Sequence, residues 1–242
     1  MKSIKKDSKK RFSYITAFLL LTVAYIAFQA IRYVAQRNKE RPQIESAIRQ
    51  VDNINKIAFC GNELLDRRDV YERIGYEVSQ IANTGFLSPD LLQKIEKYQT
   101  PICSVLRAYN VPEDAFYIAV IESRLTNAIS PKGARGFFQI MPITALHYGQ
   151  SSANLDDPIK SAQLAAFLLS ECYKHYCSWP KALAAYNAGI YGASKKLEGK
   201  STYWDAKFQS ETDRYVAKII AVKIAHEIFL KSAIEPQTKT TY

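Results

Sequence analysis

A mainly α-helical fold follows from the way apolar residues recur along this chain. They return at three- and four-residue spacing in one segment after another, and they rarely alternate in the manner of a strand. The periodic segments also tend to open on Pro or Asp and to close on Gly or Asn. No internal repeat or low-complexity stretch interrupts this order. At 48% hydrophobic and 23% charged, the composition is that of a folded chain.

The first element is expected to lie in a membrane. From Tyr14 to Val34 the only charge is Arg32, and Tyr14 to Ile31 is long enough to cross a bilayer as a slightly short helix. Six cations among the first eleven residues favour a cytoplasmic N-terminus and an exported remainder, although the basic residues from Arg32 to Arg41 reduce that asymmetry. A cleaved signal peptide is the rival reading. The run is longer than a usual signal core and no small-x-small site follows it, so an uncleaved anchor over residues 1–41 is favoured. No cysteine near its end supports lipid attachment.

Residues 42–100 read as a helical extension. Ile44, Ala47, Ile48, Val51, Ile54 and Ala58 predict an amphipathic helix that Cys60-Gly61 ends. Val70, Ile74, Val78 and Ile81 predict a second helix over about 67–82, closed by Asn83-Thr84-Gly85, and Pro89 opens a third. The main domain is expected over 101–232, with a tail at 233–242. Within it, Pro112 followed by Glu113 and Asp114 starts a helix expected to reach about Ala128. A turn-rich loop occupies 130–136. Asp157-Pro158 starts a long helix to about Tyr176, and Pro180 starts another that Gly189 caps. A last helix after Thr212 is expected to bury Val216, Ile219, Ile220, Ile224 and Ile228.

Charge and cysteines narrow the function classes. Of the net +10, most sits in residues 1–41, where ten Lys or Arg face only Asp7 and Glu40. The near-neutral remainder has no overall electrostatic footprint for a nucleic acid, so no such partner is expected. Cys60, Cys103, Cys172 and Cys177 are an even set in a chain expected outside the cytoplasm, where disulfides persist, and three pairings are possible. Cys172, His175 and Cys177 lack a convincing fourth ligand, so neither a metal nor a cofactor is expected. His147, His175 and His226 are scattered, and no Gly-x-Ser-x-Gly elbow or phosphate loop is present. His226, among apolar neighbours, reads as structural.

Glu122 is the most informative residue. It stands in Ala115-Phe-Tyr-Ile-Ala-Val-Ile-Glu-Ser-Arg-Leu125 and at helical spacing shares a face with Ile118, Ala119 and Leu125, so its carboxyl is expected to be partly buried. Burial raises a carboxyl pKa, and a carboxyl that keeps its proton near neutral pH can donate it to a glycosidic oxygen. The competing reading is an ion pair with Arg124 or Arg135.

Four motifs follow in order: Glu122-Ser123; Ser130-Pro-Lys-Gly133-Ala-Arg-Gly136-Phe-Phe-Gln139-Ile-Met-Pro142; Ala184-Ala-Tyr186-Asn187-Ala-Gly189; and Glu211-Thr212-x-x-Tyr215-Val216. Together they resemble the lytic transglycosylase catalytic domain of the goose-type lysozyme superfamily, over roughly Cys60 to His226, with the membrane-bound type D group the most similar. The resemblance implies a lysozyme-like helical domain with a cleft for peptidoglycan strands. It also implies that Glu122 is the sole catalytic acid and base, with Ser123 helping to orient it. Gln139 would bond to the sugar beside the scissile link, and Gly136 would let the strand approach closely. Phe138, where the family often has Met or Trp, would keep an apolar wall; Phe137 reads as core. Tyr186 and Asn187 would line or support the cleft, and Tyr215 would bring its hydroxyl near the catalytic carboxyl.

The expected chemistry is cleavage after N-acetylmuramic acid with closure of a 1,6-anhydro ring, the sugar's acetamido oxygen standing in for a second carboxylate. Asp156 and Asp157 are the available alternatives for that carboxylate, but Asp157 precedes Pro158 and reads as a helix cap. A hydrolytic lysozyme on the same fold and a non-catalytic glycan-binding scaffold are the rival functions. Proteins similar to type D often carry wall-binding repeats after this domain; here tethering through the N-terminal helix to the inner membrane, with the domain in the periplasm, is expected to take over that targeting.

Overall fold

The computed structural model describes residues 58–63, 67–208 and 210–234. Among them the architecture is mainly helical. The expected anchor over Tyr14 to Ile31 and most of the helix expected over 44–58 lie outside the described residues. Among the described residues no helix is long and apolar enough to cross a membrane.

Ala58, expected at a helix end, belongs to strand β1 (Ala58–Phe59), which pairs antiparallel with β2 (Asn62–Glu63). Cys60 and Gly61 between them have φ of 53° and 75°, the two positive values that a two-residue hairpin turn requires. The Cys60 amide donates to Asp114 Oδ2 at 2.6 Å, which ties the hairpin to the entrance of the central helix.

Helix α1 (Arg68–Asn83) buries Val70, Ile74 and Val78. Helix α2 (Pro89–Ala108) starts where Ser88 Oγ accepts from the Leu91 amide and Pro89 occupies the first turn. The boundary expected at residue 101 falls inside α2. A 3₁₀ turn (Glu113–Ala115) leads into α3 (Phe116–Ser123), whose residues Phe116 to Val120 are all buried. A helix apolar on all sides belongs at the centre of a bundle, and here α8 and α2 cover α3.

The short α4 (Pro142–His147) and a 3₁₀ turn (Ser152–Asp156) precede α5 (Pro158–Tyr176). Asp157 caps α5 as expected, its Oδ1 accepting from the amides of Ile159 and Lys160. Helix α6 (Trp179–Ala188) ends at Gly189 with φ 78°, α7 (Ile190–Leu197) follows, and α8 (Ser210–Ile234) packs on α1, α3 and α6. Arg214 on α8 forms a two-pronged pair with the buried Glu77 of α1, at 2.5 and 2.9 Å.

Val216, Ile219, Ile220 and Ile224 are buried as the spacing of α8 predicts, but Ile228 is not. Ile228, Phe229 and Leu230 are exposed in succession. Three consecutive helical residues point in three directions, so this end of α8 extends beyond the described helices that it packs on.

Candidate active site

Glu122 owes its position to an early helix stop. The helix expected to reach about Ala128 ends at Ser123, because Arg124 and Leu125 both adopt φ of 54°. Two successive non-glycine residues in the left-handed region cost roughly 2–4 kcal/mol, a strain of the kind that clusters at functional sites. Apolar burial on either side holds the turn in place: Leu125 is inside the core and Val120 is fully buried. Glu122 is left in the last turn of α3, where the negative end of the helix dipole already disfavours a second negative charge.

The Glu122 carboxyl is half-buried, and its pKa is raised above the ordinary carboxyl range, first by desolvation and then by the charge of Glu211. Two groups oppose this. The Tyr215 hydroxyl donates to Glu122 Oε1 at 2.7 Å, and the ammonium of Lys218 also favours the ionised form. Burial drives the Tyr215 and Tyr186 hydroxyls well above the usual phenol range, and the nearby Glu122 charge pushes them further, so both stay protonated donors. The competing ion pair is not formed. Arg124 donates to Ser88 Oγ at 3.1 Å with its guanidinium over the Phe86 ring, and Arg135 pairs with Asp156 at 2.5 Å.

The loop after α3 sets the remaining residues. Ser123 Oγ donates to the carbonyl of Phe137 at 2.9 Å and lies 3.2 Å from that of Ala119, so it fastens α3 to the loop rather than bonding to the Glu122 carboxyl. Gly136 departs from the expected role of admitting a sugar strand. It is buried at φ 73°, and a Cβ there would fall 1.8 Å from the Leu155 carbonyl oxygen. Its close approach is to the protein's own backbone. Phe138, expected as a wall of the cleft, is fully buried, and Phe137 is also in the core, edge-on to Tyr98 with ring centroids 4.9 Å apart.

Gln139 is half-buried at φ 48° and its Nε2 donates to the carbonyls of Ala128 and Gly136, both at 2.9 Å. These bonds orient the amide and leave its carbonyl oxygen for another donor. Tyr186 reaches across from α6 to donate to the Phe138 carbonyl at 2.8 Å, bracing the same loop beside Glu122. Asn187 Oδ1 accepts from Thr212 Oγ1 at 2.7 Å, joining the end of α6 to the first turn of α8.

The structure therefore brings Glu122, Tyr215 and Tyr186 together, and it gives Ser123, Gly136, Phe138 and Asn187 supporting positions. Two residues near the acid, Glu211 and Lys218, had no role on sequence grounds. Positions 211, 215 and 218 recur at helical spacing on α8, a stripe that points to them once Tyr215 is placed. Asp156 is held by Arg135 and Asp157 caps α5, so neither offers a free carboxylate to Glu122. His226 is buried against Tyr117, with Nδ1 3.0 Å from its hydroxyl.

No curated protein matches the chain. Residues 96–209, from the middle of α2 to the start of α8, match the family described as Transglycosylase SLT domain. This segment holds Glu122 and the loop that frames it, and members of the family it matches are lytic transglycosylases acting on peptidoglycan.

Proposed function

We infer that Glu122 alone serves as acid and base in cutting the bond between N-acetylmuramic acid and N-acetylglucosamine, leaving a 1,6-anhydro end. The observation that carries this reading is a single desolvated carboxyl, raised in pKa by burial and held by a neutral tyrosine donor. Its first task is to give its proton to the glycosidic oxygen while the acetamido oxygen of the muramic sugar takes up the anomeric carbon. The C–O bond to the leaving sugar breaks, and Glu122 is left ionised. Its second task is to accept the proton of the sugar's 6-hydroxyl as that oxygen displaces the acetamido group and closes the anhydro ring. Glu122 ends protonated and no water is consumed. A carboxyl pulled in opposite directions by burial and by Tyr215 and Lys218 suits both tasks, since it must both lose and regain a proton near neutral pH.

The basic head and the apolar stretch from Tyr14 to Ile31 support a membrane-anchored enzyme of the type D kind whose catalytic domain faces the periplasm. Detergent-sensitive sedimentation of the full chain with the inner membrane is the matching measurement; recovery in the soluble fraction would refute the anchor.

Mass spectrometry of sugars released from purified peptidoglycan tests the reaction. The wild type releases fragments with 1,6-anhydro ends, and Glu122→Gln releases about 10²–10⁴-fold less. Reducing ends instead would establish the hydrolase, and no release would return the chain to a binding role. Glu211→Gln is the companion variant, because Glu211 is the carboxylate whose charge reaches Glu122. Retained activity supports a one-carboxyl mechanism; a loss as deep as that of Glu122→Gln would mean that two carboxyls act.

A further inference from the structure

Helix α4 turns Ala145 into the core and an apolar face outward. Ile143 and Leu146 are 69% and 68% exposed, three residues apart and so on one side of the helix. Met141 before the helix and Tyr148 after it are exposed as well, the Tyr148 ring leaning edge-on against Phe167 of α5 with centroids 5.1 Å apart. Large aliphatic side chains gathered in the open, with an aromatic at their edge, mark a surface that meets something other than water.

The charges around this face carry an excess of one sign. From Ser123 to Leu155 the chain holds Arg124, Lys132, Arg135 and His147 and no carboxylate. Two backbone bonds between Arg135 and Ile140, at 3.0 and 3.1 Å, set the loop bearing Lys132 beside the start of α4. The 3₁₀ turn that packs on α4 carries Asn154, whose Oδ1 accepts from Lys160 Nζ at 3.4 Å. The next carboxylates along the chain are engaged, Asp156 with Arg135 and Asp157 with the amides of Ile159 and Lys160. Arg124 is turned toward Ser88 and Phe86. Lys132 and Lys160 are left as exposed cations with no carboxylate partner among the described residues.

We propose that this face of α4 rests in the headgroup layer of a bilayer that contains anionic lipid. Ile143 and Leu146 enter the boundary of the acyl chains, Tyr148 lies at headgroup level, and Lys132 and Lys160 meet lipid phosphates. Protein interfaces are depleted of lysine, whereas membrane-surface elements combine it with large apolar side chains, so the composition favours lipid over a protein partner. The contact is separate from the N-terminal apolar stretch and from the chemistry of Glu122. Gln139 stands two residues before Met141, so the same contact holds the loop that frames Glu122 at the membrane surface.

Tryptophan quenching on the full-length protein decides the matter. Leu146→Trp places the reporter on the proposed face, and Tyr191→Trp, at a position 94% exposed on α7, is the comparison. Each is reconstituted in vesicles of phosphatidylglycerol and phosphatidylcholine in equal parts, with and without bromine on the acyl chains. The emission added by Leu146→Trp is expected to shift to shorter wavelength and to be lost on the brominated lipid, while that of Tyr191→Trp is retained. Equal quenching of the two, or none at position 146, overturns the proposal. Capture of a protein by a photocrosslinker at position 146 together with no quenching would make the face a protein interface instead.

Charge is tested in the same assay. With Lys132→Gln and Lys160→Gln added to Leu146→Trp, the ratio of docked to undocked α4 is expected to fall about thirtyfold, from two lysines near an anionic surface. Unchanged quenching would overturn the role of the phosphates. The reading needs neither catalysis nor the anchor: the same variants mixed with preformed vesicles report on α4 even where the N-terminal stretch does not insert.

Discussion

Replacing Gly136 by alanine tests the packing account of the loop that frames Glu122. The added Cβ would sit 1.8 Å from the Leu155 carbonyl oxygen and 2.9 Å from its carbonyl carbon, so the 3₁₀ turn holding Leu155 must shift. Overpacking of this kind costs about 1–3 kcal/mol, and an L-residue in the left-handed region adds about 1–2. The sum is about 2–5 kcal/mol. For a domain of this size each kcal/mol lowers the melting temperature by about 2–4 °C, so a drop of roughly 4–20 °C is expected.

Gly133 separates the two contributions. It has φ 86° and nothing within 4 Å of a Cβ, so Gly133→Ala incurs the backbone strain alone. The difference between the two variants in urea unfolding then isolates the clash, at about 1–3 kcal/mol. Equal destabilisation would refute the reasoning. A Gly136→Ala enzyme that melts like the wild type but binds glycan poorly would instead restore the role of admitting the sugar strand.

Glu122→Gln is expected to melt above the wild type at neutral pH and equally at pH 3. The folded-state pKa is raised, so the protonated carboxyl favours folding below the unfolded value and that contribution is lost as pH rises through the folded one. A variant that melts lower at neutral pH contradicts the desolvation. Tyr215→Phe removes the hydrogen bond that lowers the Glu122 pKa, so the alkaline limb of kcat/KM, where Glu122 loses its proton, moves to higher pH. An unshifted limb would show that the 2.7 Å contact does not tune the acid. In the native protein Cys177, which is exposed, reacts with iodoacetamide ahead of Cys103 and Cys172, whose thiols burial pushes up to about 12 and about 11. Peptide mass mapping that finds Cys103 labelled first would refute that order.

The helices that begin with a chemical signal were legible in the sequence. Pro89 and Asp157-Pro158 announce α2 and α5, and Val70, Ile74 and Val78 fix the inner face of α1. What escaped was imposed by tertiary contacts. Arg124 and Leu125 stop α3 in a conformation that neither residue favours locally, so nothing in their identities marks the end. The strands around Cys60-Gly61 have two residues each, too few for alternation to show. At the site, the partial burial of Glu122 was legible from its apolar neighbours. Gly136 was legible as a constrained position, but the reason lies in Leu155, nineteen residues away, and no local pattern names it. Phe138 was misplaced because an aromatic in a cleft motif and an aromatic in the core look alike in one dimension.

The Glu122–Tyr215 bond joins residues separated by 93 positions, and Tyr215 sits on the last described helix. During synthesis, the acid leaves the ribosome long before its tyrosine donor. A chain interrupted or clipped anywhere between them has the carboxyl without the hydroxyl that holds it. The carboxyl proposed as the acid is thus fully dressed only when the last described helix has docked, so the docking of that helix is also the step that completes the site.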